Sequence, residues 1–167
     1  MRARAGLASA LGRLGQDEAA IGHYREMLKL NPNDNQGIRD VLAAALLRRE
    51  DIAGLKDLLT AYEGDGTAAW TYTRALLAFR DGGAADPAAL DLVKSAWAAN
   101  EHVPSILAGK KAPVRLQADY ITMGGADEAT HYVNAFGAAW RRTPGAIAWL
   151  SDGTAHLPPK PPRRPIS

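Results

Sequence analysis

The chain of 167 residues contains no cysteine. That excludes a disulfide framework and cysteine-ligated zinc. It also suits a reducing compartment, so a cytoplasmic location is expected. Long apolar runs are missing as well. No segment approaches the about 20 residues that span a bilayer, so no membrane association is expected. The N-terminus, MRARAGLASALGRLG, has basic residues but no strong apolar core after them, and it reads as a helix rather than a signal peptide. No G-x-S-x-G, P-loop or G-x-G-x-x-G occurs, which removes the usual nucleophile and phosphate signatures. Asp65, in EGDGT, lacks the ligand series of a calcium loop and reads as a turn. No catalytic residue, metal or cofactor is expected, and the chain is not read as an enzyme.

What is present fits a helical globular chain. Apolar residues make up 47% and charged residues 23% of the sequence, and the length is that of one domain with a real core. The formal net charge is +2. Lys160, Arg163 and Arg164 of the Pro-rich terminus account for more than all of it, so the basic character says little about the folded part. Nucleic acid is not the expected partner.

The organising stretch is Asp17–Asp34, DEAAIGHYREMLKLNPND. Ala20 is small where two helices must approach. Tyr24 and Leu28 follow at four-residue steps, and Pro32 stops the helix. The preceding helix carries Leu7, Ala8, Leu11 and Leu14, and its Leu7 and Leu11 should pack against Ala20, Tyr24, Met27 and Leu28. The pattern recurs 34 residues on. Ile38, Val41, Leu42 and Ala45 answer to Arg4, Leu7, Ala8 and Leu11. Gly54, Leu58 and Ala61 answer to Ala20, Tyr24 and Met27. A third pass gives Tyr72, Ala75, Leu76 and Phe79, then Ala89, Val93 and Ala96 after one extra residue. Asp86 suits an N-cap and Pro87 the first helical position. Helices are expected near 2–14, 17–30, 35–48, 51–62, 67–80 and 87–99. A broken connector with a short turn at Ser105–Ala108 should follow, then a helix over 127–142 and a short one from Pro144 through Leu150. Residues 1–103 are thus read as three helix pairs, 104–152 as a cap over the last pair, and 153–167 as a disordered Pro/Arg-rich tail.

This periodicity resembles the tetratricopeptide repeat family over roughly residues 1–100. Arg4 departs from it where an aromatic is common, and Gly54 where Ala is usual. More narrowly, NPNDNQG at Asn31–Gly37, AAWTYTRALLAF at Ala68–Phe79 and NEHVP at Asn100–Pro104 resemble bacterial relatives of the suppressor-of-tumorigenicity repeat family. In those relatives a Tyr-bearing connector and a DEA-type helix ending in TPGA follow, here Asp119–Tyr120 and Asp127 to Ala146. The resemblance implies an all-α fold: a right-handed α-solenoid of about three tetratricopeptide helix pairs with a C-terminal helical cap. It implies a scaffold and carries over no catalytic residue. Whether the chain is a piece of a longer protein is left open.

In such repeats a concave groove is lined by the first helix of each pair. The positions expected to face it are Arg2, Ala5, Ser9 and Arg13, then Gln36, Arg39, Asp40 and Ala43, then Trp70, Thr73, Arg74, Leu77 and Arg80. Arginine can hold a carboxylate through two hydrogen bonds, and Trp70 offers an apolar anchor, so an acidic or C-terminal peptide is the expected ligand. The carboxylate-clamp pattern of the superfamily relies on Lys and Asn, and neither occurs among these positions. Glu128 and His131 form an E-x-x-H step. With no second such pair in the sequence, it reads as a solvated helix face. Pro159, Pro162 and Arg164 form P-x-x-P-x-R, a form that some aromatic-lined domains bind, and read here as a low-complexity terminus. The leading function is a non-catalytic protein–protein interaction scaffold. The alternative is a nucleic-acid-associated adaptor using the groove arginines and the basic tail. Partner identity and oligomeric state are not written in the sequence.

Overall fold

A computed structural model describes residues 2–117 and 120–159, with Arg2 by its backbone alone. Asp119 and the P-x-x-P-x-R motif beyond Pro159 lie outside the described residues. Among the described residues the chain is all-helical, with nine α-helices and no strand. It divides into two compact units, Met1–Gly64 and Asp65–Ser167.

The first unit holds α1 (Arg2–Arg13), α2 (Asp17–Leu30), α3 (Ile38–Arg48) and α4 (Ile52–Ala61). Each helix packs on the next. Asp17 and Glu18 put negative charge in the first turn of α2, where the helix dipole favours it. Asp34 sits in the left-handed region, with φ at 46°. Its carboxylate accepts the backbone N–H groups of Ile38 and Arg39, both at 2.8 Å, so two donors at the start of α3 are satisfied. Asp51 caps α4 by accepting from the Gly54 N–H at 2.9 Å, and Arg25 of α2 reaches its other oxygen at 3.2 Å. A Cβ at residue 54 would come within 2.7 Å of Asp51 and 2.8 Å of Arg25, which is why glycine stands where alanine was expected.

Ala8, Ala20 and Leu55 are fully buried, and Tyr24, Met27, Leu42 and Leu58 are nearly so. Three expected core residues are not. Leu7 is 50% exposed, and Leu11 and Leu28 are only half-buried. Packing of α1 is mainly on α2, so α1's stripe turns Leu7 and Leu14 away from that contact.

The second unit holds α5 (Ala68–Gly82), α6 (Pro87–Ala99), α7 (Val103–Leu107), α8 (Ala126–Arg142) and α9 (Ala146–Thr154). Thr67 caps α5, and Asp86 caps α6 with Pro87 in the first turn. α5 packs on α6 and also on α8. α9 lies on α6, and α7 contacts both α8 and α9. Trp70, Tyr72, Leu76, Val93, Trp140 and Leu150 form one core between them. The Phe79 ring, half-buried, lies 4.7 Å from that of Trp149. The third helix pair and the helices expected to cap it therefore share a unit, whereas the expected boundary lay after residue 103. Two local expectations change as well. A short helix, α7, replaces the turn placed at Ser105–Ala108. Residues 153 and 154 are the last of α9, not the start of a tail, because the Thr154 hydroxyl bonds back to the Leu150 carbonyl at 2.8 Å inside the unit.

Candidate functional site

The expected groove residues fall in both units. In the first, Arg13 is exposed, and its guanidinium donates to Ser9 Oγ at 3.0 Å. Gln36 is exposed, and Asp40 is half-buried. Ala43 is fully buried and presents nothing to a ligand. Arg39 is the most constrained of the set. Its guanidinium lies 3.5 Å from the buried carboxylate of Asp34 and 5.3 Å from the centroid of the Tyr62 ring, and its side chain keeps 25% exposure. Tyr62 is itself fixed, donating to the Pro32 carbonyl at 2.9 Å. Burial, and then the Asp34 charge, raise the Tyr62 phenol above its ordinary range. The ring face and the carboxylate together fix the direction of the cation.

In the second unit the expectation fails at three positions. Trp70 and Thr73 are fully buried, and Leu77 is 5% exposed. Trp70 is a core residue and no anchor for a peptide. Its helix, α5, carries α8 packed on it. Tyr132 of α8 lies 5.6 Å from Tyr72 and stacks on Phe136 at 4.9 Å, ring centroid to ring centroid. The Trp140 indole donates to the Tyr132 hydroxyl at 2.8 Å. Burial pushes the Tyr72 and Tyr132 phenols well above their usual range. Arg80, also expected in the groove, is spent on α8: it donates to Thr143 Oγ1 at 2.9 Å and to the Ala139 carbonyl at 3.4 Å. Arg74 remains half-buried. The Arg2 side chain lies outside the described residues.

Glu128 is not on a solvated face. It is 8% exposed, and it accepts from the Ala68 N–H at 2.9 Å, the Gly124 N–H at 2.6 Å and Asn100 Nδ2 at 3.0 Å. The carboxylate thus joins α8 to the start of α5 and the end of α6. Tyr72 adds to this cluster by donating to the Asn100 carbonyl at 2.6 Å. All three donors find an acceptor on one side chain, which is the condition for burying a carboxylate.

Sequence reasoning missed Trp97. Its indole, half-buried on α6, donates to the Pro158 carbonyl at 2.9 Å. Beside this contact lies a cleft of about 320 Å³, bordered by Trp97, Glu101, Ser105, Lys110, Ser151 and Pro159 among others. The available signal was a Trp on a helix that buries Ala89, Val93 and Ala96, in a sequence with a proline-rich stretch from Pro158. Among the described residues no group of three or more His, Asp or Glu could hold a metal ion, and no helix is long and apolar enough to cross a membrane. No family model matches the chain, and no curated protein or solved structure matches it either.

Proposed function

We propose that this chain is a non-catalytic interaction scaffold of tetratricopeptide-like helix pairs that binds an extended, acidic protein segment. The observation that carries the reading is the burial register. Ala8, Leu42 and Leu76 are all buried at the 34-residue step, and so are Tyr24, Leu58 and Val93 at steps of 34 and 35. Burial that recurs at these positions is what a helical repeat requires, although Val41, at 44%, and Ala61 stay exposed where Ala75 and Ala96 are buried. A scaffold of this kind recognises ligands through the side chains its core leaves outside. Arg13, Gln36 and Arg39 in the first unit and Arg74 in the second keep partial or full exposure. Arg39 carries the most weight, because Asp34 and the Tyr62 ring already fix it.

Selection of random peptides displayed against the immobilised full chain tests this. Enriched sequences should be rich in Asp and Glu, and their retention should fall steeply as salt is raised. Failure to enrich any peptide over a blocked surface, or enrichment without acidic bias, contradicts the proposal.

A further inference from the structure

We propose that the cleft beside Trp97 is a binding site for extended proline-rich segments, with the chain's own terminus from Leu157 as its ligand in cis. Three observations on the second unit carry this. The first is the hydrogen bond from Trp97 Nε1 to the Pro158 carbonyl at 2.9 Å. It pairs the one polar atom of an indole with a backbone acceptor, and backbone is what a proline-rich segment leaves free. The second is the conformation that the sequence imposes. Each residue before a proline is driven to extended backbone, and both Leu157 and Pro158 precede one. A segment stiffened in this way loses little entropy on docking, and aromatic-lined grooves exploit that.

The third observation is the cleft. Leu157 and Pro159 line it together with Glu101, Ser105, Lys110 and Ser151, around a volume of about 320 Å³. The terminus that follows supplies more prolines, Pro161, Pro162 and Pro165, and the cleft itself carries one charge of each sign, Glu101 and Lys110. A ligand tethered to its own site acts at a high effective concentration, so the terminus competes with any second proline-rich segment.

The test uses full-length chains and a fluorescent peptide with the sequence of residues 156–167. One chain is unaltered. In another, Pro158, Pro159, Pro161 and Pro162 are replaced by glycine, which weakens the tethered ligand but keeps the length. Fluorescence polarisation should show the peptide binding the glycine chain at least tenfold tighter than the unaltered one. Adding Trp97→Phe to the glycine chain should weaken binding about tenfold, the loss expected for one hydrogen bond. A peptide with the same four of its five prolines replaced, leaving Pro165, should not bind. If Trp97→Phe disturbs folding by circular dichroism, the indole N–H resonance of Trp97 in the glycine chain serves instead, and it should shift as peptide is added. Equal affinity for both chains overturns the inference. So does absence of binding to the glycine chain at about 1 mM peptide, or an indole resonance that does not respond. None of these results touches the acidic-peptide proposal, whose arginines lie elsewhere.

Discussion

Asp34 shows how much one side chain can decide. It occupies a left-handed backbone conformation, is 4% exposed, and holds two α3 N–H groups at 2.8 Å while facing Arg39. Asp34→Ala should destabilise the first unit by about 2 kcal/mol, the upper range for a lost helix cap. Asp34→Asn keeps an acceptor and tolerates the same backbone, so it should cost about half as much. Chemical denaturation of the two variants checks this order. Equal losses would mean that the cap is unimportant. The sequence made this stretch legible as a turn, through Pro32 and the helix before it. It did not reveal that the aspartate would be buried, because burial here depends on α3 and Tyr62 closing over it. At Gly54 the reverse holds: the departure from alanine was visible in the sequence, and the Asp51–Arg25 pair gives the reason.

At the scale of elements, periodicity located most helices to within a few residues, because their apolar spacing and caps are local. Which face of α5 meets a neighbour is a non-local matter. Trp70, Thr73 and Leu77 fall at groove positions by repeat register, yet all three are buried, and α8 packs on their helix. The clue lay in α5 itself, which carries Trp70, Tyr72, Leu76, Leu77 and Phe79 around its circumference. A helix apolar on all sides is packed on more than one side. Glu128 locks the arrangement. Its Oε2 accepts from Gly124 and Asn100, and its Oε1 from Ala68. A glutamine has only one acceptor oxygen and cannot serve both sides. Glu128→Gln should therefore cost about 1–3 kcal/mol, the penalty for a buried unsatisfied group. A melting temperature unchanged within error would show that the network does not hold α8.

The aromatic cluster between α5 and α8 predicts a pH dependence. Burial raises the Tyr72 and Tyr132 phenols above their unfolded value. The neutral phenol is the form that the fold favours. The resulting stability is therefore complete below the unfolded value near about pH 10, and it is lost as pH rises from there towards the folded values. Absorbance titration followed alongside circular dichroism checks this. Tyr72 and Tyr132 should ionise only together with loss of helical circular dichroism. Smooth titration of all tyrosines in a still-folded chain would contradict the packing of α8 on α5.

For the whole molecule, the all-helical class followed from spacing alone. The division after Gly64 did not, because it depends on which helices share a core. The functional account rests on Arg39 of the first unit, already oriented by Asp34 and Tyr62. Calorimetric affinity for the most enriched acidic peptide, compared between the unaltered chain and Arg39→Gln, tests that account most directly. Asp34 keeps its two backbone donors in this variant, so the fold should persist. The account predicts at least a tenfold loss of affinity, as for a charge-assisted hydrogen bond removed, with unchanged helicity and a weaker salt dependence. Full affinity in a folded Arg39→Gln chain would contradict it.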